Sequence, residues 1–308
     1  RSILIFVQIF LYSLYLRNKY SIIDYYFTVN AFTAWTGQII KRVGFVKKTV
    51  FWVWDYYPPV HEDKIIKFMR WVYWYFDKIS SRSDRLIFLN ERLKTLRERI
   101  GIISKGCNYS IIPIGTSPNF SRKKSLGESF SLGFIGVLKK SQGLDLIFDN
   151  LDELGKIHSN LKIEIIGSGP DEKYFRNKAK NIPVEINFHG FLSEEKYKKI
   201  NKILSGCSIG IATYVPEKSN VSYYGDPSKI KMYLSFGLPV ITTNVFGFSE
   251  ELKETKSGII IDYHKENEFI SAIKTIENNY SYYQANAKKL AKKYFYKKLY
   301  SPMFRDLY

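Results

Sequence analysis

The sequence is poor in residues that bind metals or cross-link a fold. It holds two cysteines, Cys107 and Cys207, far apart and with no Cys-x-x-Cys. That excludes a disulfide framework and a thiolate metal site, and it fits a reducing cytoplasm. Cys207 lies in an apolar run, and both thiols are expected to be buried. The four histidines, His61, His158, His189 and His264, lack metal-ligand spacing, and Asp-x-Asp occurs nowhere. Neither a metal nor any other cofactor is expected. No Gly-x-Gly-x-x-Gly closes a first strand, which disfavours a nicotinamide enzyme. Long apolar runs are also scarce. Residues 2–16 are strongly apolar but too short to span a bilayer comfortably, and Leu16-Arg17 offers no cleavage site. A buried or interface helix is expected there. The chain starts at Arg1 without a polar lead-in, so an anchor continued by earlier residues is the alternative.

Acidic residues are outnumbered, 29 against 47 lysines and arginines, giving a net charge of +18 and a pI near 9.5. Such a balance favours anionic partners: nucleic acid, acidic lipid or phosphorylated substrates. Enrichment in Lys, Ile, Asn and Tyr also fits an AT-rich genome, which raises lysine without any function. Nucleic acid is not expected, because no reading motif is present and the aromatics cluster in one segment. That segment, residues 63–81, predicts a helix. Ile65, Phe68, Met69, Trp71, Trp74, Tyr75 and Phe76 are interleaved with Lys64, Lys67, Arg70 and Lys78. Helices at an anionic membrane surface carry this pattern, and so do core helices with snorkelling basic residues. The net charge favours the membrane.

Strand and helix patterns alternate along the whole chain, so parallel sheets wrapped by helices are expected. Strands are predicted at 20–29, 48–54, 84–89 and 110–114, with helices at 31–42, 63–81 and 91–100. The polar stretch 117–129 reads as a linker. A second alternation follows: strands at 130–136, 161–166, 184–189, 207–212, 238–243 and 258–262, helices at 144–157, 171–181 and 193–204, and further helices from 266. The expected organisation is a first domain over 1–116, the linker 117–129, a second domain over 130–285, and C-terminal helices over 286–308 that could pack back on the first domain.

In parallel sheets ligands bind beyond the carboxyl ends of the strands. The most pointed stretch there is 225–241, Gly-Asp-Pro-Ser-Lys-Ile-Lys-Met-Tyr-Leu-Ser-Phe-Gly-Leu-Pro-Val-Ile. Asp226 is a suitable N-cap, Pro227 suits the first turn, and Gly237 suits the stop. Ser228 and Lys229 then sit on a helix start, where free N–H groups and the positive dipole end can hold a phosphate. A well-capped helix with a solvated lysine has the same residues. The first strand of the second alternation ends at Gly136 and runs through Lys139, Lys140 and Gln142 to Gly143; these suit phosphate contact or a lysine-rich turn. Gly167-Ser168-Gly169 opens a helix after the next strand. Gly247 and Glu250 follow the strand at 240–243, where Glu250 could accept a ribose or sugar hydroxyl or favour a helix start. In the first alternation, Asp55 closes the strand at 48–54 and is a candidate for acceptor orientation or proton handling, or a turn residue before Pro58. Asn30 and Thr33, after the preceding strand, are weaker acceptor-side candidates.

In order and spacing these elements resemble the GT-B nucleotide-sugar glycosyltransferases of glycosyltransferase family 4, over nearly all of residues 130–262. The match runs through Phe134–Gly143 with Asp145, Leu161–Pro170, Val184–Ser193, Pro227–Thr243 and Gly247–Glu250. The first domain is similar only loosely, through Trp52-Val53-Trp54-Asp55 and Ile111–Gly115, and its early strands are expected before Arg1. The resemblance implies an α/β GT-B fold, two Rossmann-like doubly wound parallel-sheet domains facing across a cleft. It implies a retaining, metal-independent transfer from a nucleotide-diphosphate sugar to a lipid-linked or polysaccharide acceptor. The expected setting is cytoplasmic, peripheral at the inner face of a membrane. Two departures stand out. The family's usual diphosphate-gripping Arg and Lys fall at Val137 and Gln142, and the glutamates of its Glu-x7-Glu motif fall near Tyr224 and Met232. The Asp-Pro-Ser-Lys motif resembles a variant subgroup in which Lys229 takes over phosphate contact. The alternative is an inactive GT-B scaffold subunit that serves a partner transferase.

Overall fold

A computed structural model of the chain describes residues 2–54, 56–119, 130–180, 182–193, 196–217, 221–265 and 267–305. It divides into two compact units, one of Arg1–Pro113 with Tyr224–Asp226 and one of Ile114–Tyr223 with Pro227–Tyr308.

The first unit begins with α1 (Ser2–Tyr20), then β1 (Ile23–Thr28), α2 (Ala31–Arg42), β2 (Val46–Val53), α3 (Lys64–Ser80), β3 (Arg85–Phe88), α4 (Glu91–Arg99) and β4 (Tyr109–Ile111). Its four strands pair in chain order, all parallel. β2 is buried along most of its length, as a central strand covered on both faces should be. Phe51, Val53, Leu86 and Phe88 meet Ala31 and Ala34 of α2 and Leu93 of α4. A buried ion pair ties α3 to α4: Arg97 donates from its two terminal nitrogens, Nη1 and Nη2, to Asp77, at 2.7 Å each, and a further bond reaches Ser81 Oγ. Asn90 caps α4 through Leu93 N, and its amide holds the carbonyls of Tyr224 and Gly225.

Of the two expectations for α1, a buried or an interface helix, full burial does not hold. Leu4, Leu11, Tyr12 and Tyr15 are more than half exposed, while Phe6 and Phe10 pack on Trp35 and Phe45. Among the described residues no helix is long and apolar enough to cross a membrane. α3 also turns much of its apolar surface outward. Cys107 is only partly buried, whereas Cys207 is fully so.

The second unit runs β5 (Ser131–Ile135), α5 (Asp145–Asp149), α6 (Leu151–Ile157), β6 (Lys162–Ile166), α7 (Glu172–Lys178), β7 (Glu185–Phe188), α8 (Tyr197–Gly206) and β8 (Ile209–Ala212). It continues with α9 (Ser228–Ser235), β9 (Val240–Thr243), α10 (Ser249–Glu254), β10 (Gly258–Ile261), α11 (Glu268–Asn278), α12 (Tyr280–Ala291) and α13 (Tyr296–Arg305). The sheet order is β10-β9-β8-β5-β6-β7, all parallel. Counted within the unit this is 3-2-1-4-5-6, the doubly wound dinucleotide order, and its switch point lies between β5 and β8. One core joins Leu132, Phe134 and Ile211 to α6, α7 and α11. The other joins Ala212 and Val240 to α8, α9 and α12. Helices therefore cover both faces.

The expected single helix over 144–157 is broken at Asn150. Its amide donates to Leu146 O at 2.8 Å, a local bond that competes with the helical ladder. Only residues 117–119 of the expected linker are described. Just before it, Thr116 N donates to Tyr294 O and Gly115 N to Tyr300 Oη, so the segment entering the second unit is sewn to the chain's C-terminal end.

Candidate functional site

At the carboxyl end of β5 the backbone turns through Gly136, and at the end of β6 through Gly167, with φ of 158° and 132°. The two glycines face each other so closely that a Cβ on Gly167 would collide with Gly136 O. Gly136 N donates to Ile166 O at 2.9 Å, and Leu138 N to Ser168 O at 3.1 Å, so the two loops form one floor. On the other side of the switch point, Thr213 Oγ1 donates to Gly143 O at 2.9 Å and Val215 N to Ser141 O at 3.1 Å. Gly143 sits in the left-handed region with φ 74°, and any side chain there would meet Thr213 O. The loops after β5, β6 and β8 are thus joined through glycines at the place where such sheets bind ligands.

α9 brings Lys229 to this floor. Its ammonium donates to Gln142 Oε1 and lies 4.8 Å from the Tyr214 ring and 5.1 Å from the Phe134 ring. A Cβ on Gly136 would strike it. Burial among these groups lowers the Lys229 pKa to about 7. The two aromatic faces favour the charged form, but less than lost water disfavours it.

The local chemistry of α9 was partly anticipated. Its stop is as expected: Gly237 has φ 75°, Gly237 N bonds Leu234 O, and Leu238 N bonds Tyr233 O, which closes the last carbonyls. Its start differs. Pro227 rather than Asp226 stands at the cap, and no side chain caps the helix. Pro227, lacking an N–H, replaces the expected Asp cap with a fixed turn, and the N–H groups of the exposed Ser228 and of Lys229 open the helix.

The remaining candidates divide. Gln142 joins Lys229 directly. Gly136, Gly167 and Ser168 line a pocket of about 250 Å³ together with Val137, Leu192 and the 74%-exposed Phe191. Gly169 packs its backbone on Leu138, where a Cβ would not fit. Lys140 points elsewhere: its ammonium lies 4.3 Å from the Tyr174 ring, and its N–H binds Asp171. Lys139 is exposed, as is Gly247. Glu250 lines a separate cavity of about 470 Å³ with Asn244, Lys253 and Glu268. In the first unit Asn30 caps α2, accepting from Phe32 N at 2.9 Å. Thr33 bonds Asn30 O and the Thr28 hydroxyl. Asp55 lies outside the described residues. Among the described residues no cluster of metal-ligating side chains occurs.

Sequence reasoning missed Phe134, Tyr214 and Phe191. Tyr214 could have been found, because it directly follows the strand that ends at the switch point. It also missed Lys231, fully buried two residues after Lys229, whose ammonium donates to Ile114 O at 3.0 Å and lies 4.5 Å from the Tyr294 ring.

Comparison with known proteins agrees with this architecture. The profile of the family described as "Glycosyl transferases group 1" matches residues 117–294, more than half of the chain. An uncharacterized glycosyltransferase of Haemophilus influenzae is 22% identical over 213 residues, 64% of this chain and 52% of its own. This chain therefore spans about half the length of that relative. Among solved structures, Anabaena HepE in complex with UDP superposes with a TM-score of 0.68 at 14% identity, covering 92% of this chain and 78% of HepE. The pneumococcal O-GlcNAc transferase GtfA, in complex with UDP and GlcNAc, gives 0.61 at 18% identity, covering 88% and 54%. The fold is that of the GT-B glycosyltransferases, and the chain belongs to the glycosyl transferases group 1 family.

Proposed function

We propose that this protein is a retaining, metal-independent glycosyltransferase of the Asp-Pro-Ser-Lys subgroup of family 4. It moves a sugar from a nucleotide-diphosphate sugar to a lipid-linked or glycan acceptor, at the cytoplasmic face of an anionic membrane. The observation that carries the donor half is Lys229, set on a glycine floor at the β5/β8 switch point beside the N-terminus of α9. As the sugar leaves, charge grows on the diphosphate. A lysine at a helix start stabilises that charge where it develops. Gly136 and Gly167 let the diphosphate approach backbone, and the slot between Val137 and Phe191 suits a flat base. The UDP complexes of HepE and GtfA make a uridine nucleotide the first donor to test. Asp55, Asn30 and Thr33 remain the acceptor-side residues of this proposal.

A second reading keeps one observation in its favour: an exposed Val137 and a neutral Gln142 stand where the family's usual basic pair belongs. An inactive scaffold subunit would carry such losses. Calorimetric titration of UDP and GDP into the full-length protein, with and without EDTA, followed by sugar turnover, separates the readings. Binding that survives EDTA, disappears in Lys229→Ala and is accompanied by transfer supports the enzyme; the anomeric configuration of the product, read by NMR, tests retention. Binding without turnover moves the scaffold ahead, and no binding of either nucleotide removes the UDP and GDP donor assignment.

A further inference from the structure

The first unit contains a cavity that the donor chemistry does not use. It has a volume of about 600 Å³ and lies where α1, α2 and α3 meet. Ile5, Phe6, Phe32, Trp35 and Phe76 form most of the wall, with Phe6 5.4 Å from Trp35, Trp35 5.1 Å from Phe76 and Phe32 4.8 Å from Phe76, centroid to centroid.

Most oxygens of the polar side chains in the lining are engaged within the protein. Asn30 caps α2, Thr33 bonds Asn30 O, and Thr36 bonds Phe32 O at 3.0 Å. The wall therefore presents mostly carbon to whatever enters. Water gains little there, since a bound water needs two or more polar partners. The volume falls within the roughly 300–1,000 Å³ of ordinary ligand sites.

The surroundings indicate where a carbon-rich guest comes from. Phe76 faces the cavity from α3, and the same helix exposes Ile65, Phe68, Met69 and Trp71 to solvent, each by more than half. Lys64, Lys67, Arg70 and Lys78 interrupt that apolar row, and Arg17 and Lys19 end α1. Basic residues set among exposed aromatics match an anionic bilayer surface. We infer that the cavity between α1, α2 and α3 takes one hydrocarbon chain of an anionic membrane lipid drawn from that surface. Asn30 and Thr33 stand at the carboxyl end of β1, so the headgroup of such a lipid would lie at the strand ends, where the acceptor hydroxyl belongs. The inference rests on the membrane reading above and adds the chain-binding site to it.

The test is photocrosslinking of the full-length protein on vesicles of phosphatidylcholine and phosphatidylglycerol, the latter carrying a diazirine in its acyl chain. Peptide mass spectrometry then locates the adducts. Adducts on Phe6, Phe32, Trp35 or Phe76 are expected. They should fall several-fold in the cavity-filling variant Ile5→Trp while its vesicle binding persists. Vesicle binding with adducts confined to Phe68, Trp71 and Tyr75 would overturn the chain site and leave the membrane reading standing. Absence of vesicle binding would remove both. A cavity already filled by another part of the full-length protein would give the adducts of the surface residues alone, and so counts against the inference.

Discussion

Lys229 donates to the side-chain oxygen of Gln142, 87 residues earlier in the chain. By the resemblance to family 4, Gln142 is the position where a diphosphate-gripping lysine is expected. The ammonium thus reaches the loop after β5 from the first turn of α9, and in the proposed donor site it supplies the positive charge that Gln142 lacks. The glutamine keeps the hydrogen bond that orients it. Lys229→Ala is therefore expected to abolish UDP binding, whereas Gln142→Ala should weaken it by about tenfold, the loss of one oriented bond to a charged group. Calorimetry on both variants checks the order of effects.

Burial also makes Lys229 a cost to folding. In the unfolded chain the amine titrates near its ordinary 10.5, and burial in the folded chain lowers this to about 7. The unfolded state binds more protons between those values, so this group's contribution makes the empty protein more stable as pH rises through that window. Lys229→Met should accordingly raise empty-state stability, by roughly 1 kcal/mol or more, while destroying ligand binding. Thermal melts with and without UDP read both effects.

Ligand binding should run the other way with pH. A diphosphate favours the ammonium, so above about pH 7 binding must import a proton. Affinity is expected to fall by up to about tenfold per pH unit between pH 7 and 9. Titrations in buffers of different ionisation enthalpy would report the uptake. A flat profile with no proton uptake would place the diphosphate away from Lys229.

What the sequence disclosed follows the range of the interactions involved. The α9 stop was legible because Gly237 and the two amides that close the helix lie within a few residues. The alternation that gave two parallel sheets was legible from runs such as Leu161–Ile166. The Lys229–Gln142 pair was not, because it depends on β5 and β8 being neighbours, and strand order is set by packing between distant segments. The break at Asn150 was hidden for a smaller reason: one side-chain amide outcompetes the ladder inside an otherwise helical pattern. Asp226 was misjudged because Pro227 fixes the turn that a capping side chain would otherwise hold.

Arg97 and Asp77 form a long-range pair that carries stability rather than chemistry. Both side chains are almost wholly buried, and their two bonds are parallel. Removing the acid leaves a guanidinium buried without its counter-charge. Asp77→Ala should cost about 3–5 kcal/mol in the first unit, seen as an earlier urea transition, with UDP binding by the second unit retained.

The apolar face of α3 separates two uses of the same residues. Were it a core surface, Phe68 and Trp71 would be covered; they are 62% and 54% exposed. Substituting both with glutamate should therefore leave stability within about 0.5 kcal/mol, as for ordinary surface positions. On anionic vesicles the same change removes buried aromatic area and puts acid against acid, so sedimentation with vesicles should be lost. Wild-type binding should weaken with added salt without vanishing, because the lysines and arginines are screened while the aromatic contribution is not. A drop in melting temperature as large as a core substitution gives, with vesicle binding unchanged, would assign this face to protein packing instead.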